Sequence, residues 1–195
     1  MKARLLTLVI ALALVPALAS AADTYVADRT HSEVAFRAKH MVGYVPGKFT
    51  DYDGTVILDP ANLEKSSVDF TVRAESIDTG SPDRDKDLRT ENFFWIEKYP
   101  TLTFKSETIK KTGKDKFDVT GTLTIRGVAK KVTIPVEFNG FVKDPWGNEK
   151  VGFSSEFIVN RKDYGIVWNK TLDSGGIFLG DDVKITLNFE LAKKK

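Results

Sequence analysis

The sequence predicts an all-β fold: an eight-stranded antiparallel barrel with one short helix between strands 3 and 4. Three observations carry this. Eight runs alternate apolar and polar residues at period two. One face of those runs is charged, through Arg37, Lys39, Lys105, Lys131, Glu137, Lys184 and Glu190, while the other is apolar. Only residues 81–100 carry a helix signal. Eight such strands close into an up-and-down barrel without leaving an exposed edge. A two-sheet sandwich satisfies the same alternation and stays open as an alternative. A membrane barrel does not, because its apolar residues face outward to lipid.

At the amino terminus, Lys2 and Arg4 precede an apolar run over 5–14 and then Ala19-Ser20-Ala21, the pattern of a cleavable secretory signal. We therefore expect a signal peptide over 1–21, a single domain over 22–195, and export to the periplasm. No later stretch is apolar for the roughly 18 residues that a membrane-spanning helix needs. The formal charge is +2 at pH 7 and falls to about zero without Lys2 and Arg4, which argues against nucleic acid as a partner. With no cysteine, the fold must be held by its core.

The first strand covers 32–40, with Ser32, Val34, Phe36, Ala38 and His40 on one face and Glu33, Ala35, Arg37 and Lys39 on the other. Residues 43–47 read as a turn, and a second strand covers 48–58, its parity blurred near Asp53 and Gly54 as by a bulge. The third strand turns Val68, Phe70, Val72 and Ala74 inward. The helix follows: Ser81 can cap it, Pro82 suits its first position, Asp83 and Asp85 suit its first turn, and Asp85 and Arg89 have ion-pair spacing. Phe93, Phe94, Trp95 and Ile96 come next, too much apolar surface for an exposed loop, so this block is expected to act as a lid.

Beyond Pro100, Leu102 and Phe104 point inward, and a turn near Gly113 leads to Phe117, Val119, Gly121, Leu123 and Ile125. Val132, Ile134, Val136 and Phe138 form the sixth strand, in which Pro135 fits only where no ladder donor is needed. After the turn at 144–148 come Val151, Phe153, Ser155, Phe157 and Val159, and finally Val183, Ile185, Leu187, Phe189 and Leu191. Periodicity leaves open whether the interior is filled or hollow, since the 13 phenylalanines serve equally as plugs or as walls.

Together these residues resemble the YceI-like family of exported, polyisoprenoid-binding proteins. The resemblance rests on His31-Ser32 with Val34 and Phe36, His40, Gly47-Lys48-Phe49, Asp53-Gly54, and residues 76–79. It extends through Arg84-Asp85, Leu88-Arg89, Asn92-Phe93-Phe94, Tyr99-Pro100, Thr103-Phe104, residues 121–127, residues 144–147 and Gly152-Phe153. It implies a lipocalin-like barrel that is hollow and holds a long isoprenoid chain, of polyprenyl or isoprenoid quinone type, or a similar amphiphile. No other cofactor is required. The ligand contacts then implied are Val34, Phe36, Ala38, His40, Phe49, Phe70, Val72, Phe104, Leu123, Val136, Phe138, Phe153, Phe157, Leu187 and Phe189, with Phe93, Phe94 and Trp95 in the lid.

His40, Arg84 and Arg89 are the candidates for a polar head group, since guanidinium makes forked bonds to phosphate or quinone oxygens. Each also has a plain structural reading: a hydrogen-bonded residue at a barrel mouth for His40, and a solvated helix face for the arginines. His31 and His40 fall on opposite strand faces and make a poor metal pair, which a carboxylate such as Asp28 or Asp51 would have to complete. Residues 161–163 (Arg, Lys, Asp) sit near a barrel end with no role assigned by pattern. There is no Gly-x-Ser-x-Gly elbow and no phosphate-binding glycine loop, so a carrier is expected rather than an enzyme. The alternatives are a lipid-metabolising enzyme on the same barrel and a filled barrel that binds another protein; oligomeric state stays open, a dimer included.

Overall fold

In a computed structural model, residues 22–173, 176 and 178–194 are described; the expected signal peptide lies outside them. The strands are β1 (Asp23–Ala27), β2 (Glu33–His40), β3 (Gly43–Phe49), β4 (Tyr52–Leu58), β5 (Ser67–Arg73), β6 (Ile77–Asp78), β7 (Thr101–Gly113), β8 (Lys116–Ile125), β9 (Val128–Lys143), β10 (Glu149–Asn160) and β11 (Leu179–Lys193), with helix α1 at Pro82–Leu88. Three of the barrel strands are each broken in two, the first of them by the addition of β1, which was not expected. β1 and β2 flank residues 28–32, β3 and β4 flank Thr50 and Asp51, and β5 and β6 flank a 3-10 turn at Ala74–Ser76. Counted as composites they leave eight strands, each paired antiparallel with the next in the chain. The barrel closes because β11 pairs with β2 over Val34 to Ala38 and with β1 over Tyr25 to Ala27.

Some local expectations are corrected. Residues 43–47 are strand, and the turn is Met41 and Val42, with Met41 at φ 47°. Gly47 is there for space: it pairs with Phe36, whose ring lies where a Cβ would stand. The parity reset falls at Thr50 and Asp51 rather than at Asp53 and Gly54, so that buried Phe49 and buried Tyr52, three apart, both face inward. The Ser81 side chain makes no capping bond to α1.

Three of the phenylalanines form walls by lying against glycines on neighbouring strands. Phe70 covers Gly54, its cross-strand partner, and Phe104 lies over Gly121 as Phe36 does over Gly47. A ring folded flat over a missing side chain leaves the barrel axis free, which resolves the choice between plug and wall. Gly54→Val would place its Cβ within 2.6 Å of Phe70 Cε2 and drive that ring inward. We expect this variant to fold, with a loss of about 1–3 kcal/mol from overpacking, and to take up less of a fluorescent polyprenyl probe at saturation. Gly43→Ala, where nothing lies within 4 Å, should match wild type in the same titration.

Candidate functional site

Inside the barrel lies a cavity of about 220 Å³. It reaches from Leu63, Ile109 and Phe117 near one end to Ile125, Phe157 and Val159 near the other, so it is elongated along the axis. Its lining holds Ser66, Thr103, Ser154 and Ser155 but no charged side chain. Ser155 is internally satisfied, donating to the Pro135 carbonyl at 2.6 Å. Such a surface can hold hydrocarbon.

Of the residues singled out from sequence, Val34, Phe49, Phe70, Val72, Phe104, Leu123, Val136, Phe153, Phe157, Leu187 and Phe189 line this cavity. Phe36 and Phe138 are not among the lining residues and pack instead against the clusters around Val34 and around Val151 respectively. Ala38 and His40 lie beyond the cavity, where the His40 ring meets Phe178 edge-on at 4.5 Å. Leu63 and Ile109 belong to the lining but escaped the alternation. Leu63 sits in a 3-10 turn, and a register shift between Ser106 and Thr108 moves Ile109 onto the face of Leu102 and Phe104.

The block expected to act as a lid divides in two. Phe94 packs edge-on against Phe49 at 5.7 Å, and Phe93 is buried with Ile125, Val159, Tyr164 and Ile166. Trp95 is absent from the cavity lining, has φ 50°, and meets the Lys98 ammonium at 4.5 Å and the Arg126 guanidinium at 5.7 Å. The helix is anchored from below. Buried Asp85 accepts from Thr79 N at 2.9 Å and Thr79 Oγ1 at 2.6 Å instead of pairing with Arg89. Arg89 donates to the carbonyls of Glu75 (2.9 Å) and Ile77 (3.0 Å), and Arg84 donates to Thr79 Oγ1 (2.8 Å) and Thr79 O (2.9 Å). Both guanidinium groups therefore tie α1 to residues 75–79.

On the outer wall Asp28, His31 and Glu190 bring ligand atoms within 4.8 Å of one another. A cation is already there: Lys150 Nζ lies 2.6 Å from Asp28 Oδ2 and 3.0 Å from Glu190 Oε1. Lys150 and, next, His31 hold the Asp28 carboxyl well below the usual carboxylate range, and the two carboxylates raise Lys150. The cluster therefore reads as a structural ion network joining the loop at 28–32 to β10 and β11.

Sequence reasoning assigned no role to Arg161, which is the main buried polar device of the helix end. Only 5 % exposed, it donates to the carbonyls of Gly180 (2.9 Å), Ile166 (2.7 Å), Trp168 (2.7 Å) and Leu179 (3.3 Å), and to Asp181 Oδ1 (3.0 Å). Burial pushes its pKa down while Asp181 opposes the shift. A single arginine in an irregular stretch has no period to reveal it.

An antiparallel barrel that is apolar within, charged without and crossed at one end by a short anchored helix defines the class of lipocalin-like barrels. The profile of the YceI-like domain matches residues 25–191, and the chain belongs to the YceI-like family. It is 40% identical to a UPF0312 protein of Azotobacter vinelandii over 76% of this chain and 78% of that one. It is 36% identical to Protein YceI of Salmonella arizonae over 85% and 83%. Among solved structures, the YceI protein of Campylobacter jejuni is 33% identical with a TM-score of 0.71, over 80% of this chain and 90% of that one. Burkholderia cenocepacia BcnA is 26% identical with a TM-score of 0.75, over 84% and 98%. A polyisoprenoid binding domain from Saccharophagus degradans, implicated in plant cell wall breakdown, shares the fold at 14% identity with a TM-score of 0.67, over 89% and 99%.

Proposed function

We propose that this protein is a periplasmic carrier that holds one isoprenoid or similar long-chain lipid in the barrel lumen, without catalysis. The observation that carries the reading is the elongated cavity, whose lining is predominantly apolar and free of charge. A linear hydrocarbon matches such a wall, and hydrophobic contact along its length supplies the affinity. Family membership and the polyisoprenoid binding described for the Saccharophagus degradans domain, which shares the fold, support the same class of ligand. Periplasmic placement follows from the amino-terminal pattern. With Arg84, Arg89 and His40 engaged in protein contacts, the polar head group of the lipid is expected to meet water or backbone rather than a charged clamp.

The test is organic extraction and mass spectrometry of protein purified from the periplasm. We expect one long-chain lipid per chain, released unaltered and taken up again by the emptied barrel. Absence of lipid together with no uptake of a polyprenyl probe would leave the filled-barrel interaction module, and conversion of the lipid on incubation would establish the enzyme.

A further inference from the structure

A barrel that holds a long ligand must admit it, and both ends of this one are packed. At the helix end Phe93 is 5 % exposed beneath a lid pinned by Asp85 and Arg89. At the other, Tyr25, Leu58, Val151 and Leu191 are all at or below 4 %. The side wall has a weaker place. β9 and β10 are ladder partners from Lys143 with Glu149 to Glu137 with Ser154, and there the register stops, next to Pro135, which has no N–H to donate. Above that point, among the described residues, β10 runs on to Asn160 with only β11 as ladder partner, and β9 runs back to Val128 with only β8.

Side chains hold the two banks together instead. Ser155 Oγ donates to the Pro135 carbonyl at the foot of the seam, and exposed Lys130 meets Asp163 at 3.6 Å near its top. Arg126, in the turn between β8 and β9, donates to the carbonyl of Gly165 beyond β10. Phe157, Val159 and Ile134 of the two banks line the cavity directly behind.

We propose that the ligand enters and leaves sideways through the seam between β9 and β10 above Pro135, while the helix end stays shut. This rests on the lumen being the ligand site and names the route into it. Opening a laddered seam would break backbone hydrogen bonds along its length and leave their donors and acceptors facing hydrocarbon. Opening this one separates a few side-chain ties, of which the solvated Lys130 with Asp163 resists little. Residues 155–160 span roughly 20 Å at about 3.3 Å per residue. A chain-like lipid can pass side-on through such a slot without being threaded end-first, and its polar head can stay in water throughout.

The chain has no cysteine, so a pair introduced by Thr133→Cys and Ile158→Cys is unique. Both positions face outward, on opposite banks of the seam. Bridging them with a short bis-maleimide should slow uptake and release of a fluorescent polyprenyl analogue at least tenfold relative to the unbridged double variant. The same reagent across Thr120→Cys and Thr133→Cys, on the laddered β8–β9 wall where the two hydroxyls now meet at 2.8 Å, should leave the rates unchanged. Equal rates with and without the seam bridge, or equal slowing by the control bridge, would overturn the lateral route while leaving the lumen as ligand site. Failure of the emptied, unbridged protein to take up either the analogue or a small uncharged naphthylamine fluorophore would overturn both.

Discussion

Ile185→Asp is expected to prevent folding or to unfold the barrel near ambient temperature. Ile185 stands between Phe157 and Phe36 on the flanking strands and lines the cavity. A carboxylate there would lose hydration with no cation in the lining to meet it, and the lost apolar contact adds to that cost. The sum is about 4 kcal/mol or more, a large share of the roughly 5–15 kcal/mol that holds a domain together. The neighbouring position provides the contrast. Lys184 faces water and pairs with Glu156 at 2.8 Å, so Lys184→Gln gives up a surface pair worth at most about 1 kcal/mol. Circular dichroism melts of the two variants decide the matter: a stable Ile185→Asp protein beside a damaged Lys184→Gln would mean that the assigned faces are reversed.

Arg161→Ala is expected to cost about 3–5 kcal/mol, the usual consequence of removing one member of a buried charged network. The substitution strands the carbonyls of Ile166, Trp168, Leu179 and Gly180, which the guanidinium now serves together. At roughly 2–4 °C per kcal/mol for a chain of this size, the melting temperature should fall by about 10 °C. Arg161→Lys keeps the charge but has no planar fork to reach carbonyls on two sides, so it should recover only part of the loss. A melting temperature within 2 °C of wild type for the alanine variant would show that water replaces the arginine without penalty.

What could be read from the sequence follows from what repeats. Alternation at period two exposed the eight strand runs and their inward faces, because burial on one side of a pleated strand leaves a mark at every second residue. β1 was missed since its five residues carry too short an alternation beside the expected signal. Gly47 was misread because a glycine kept for an approaching ring looks, in sequence, like a glycine kept for a turn. Trp95 was grouped with Phe93 and Phe94 on hydrophobicity alone, whereas its ring, at a residue with left-handed backbone, meets Lys98 and Arg126. The hollow interior rested on family resemblance, because a ring lying flat and a ring filling space are the same letter. Arg161 and the β9–β10 seam depend on where irregular chain and ladder ends meet in three dimensions, and no local pattern encodes that.

The breaks at 28–32, at Thr50 and Asp51, and at 74–76 lie side by side on adjacent strands and are tied to one another, Thr50 N to Ser76 O at 3.1 Å and Tyr52 OH to Ser32 O at 2.7 Å. β7 to β11, by contrast, run for 10 to 16 residues with no intervening turn. Ladder bonds resist strands sliding or parting, but they do not fix the angle at a point where neighbouring strands are already interrupted together. Mechanically the tube is jointed at its front, while its back of long strands gives only at the β9–β10 seam. For the lumen guest proposed above, flexing of this front would accommodate a change in girth more readily than the packed ends would accommodate a change in length.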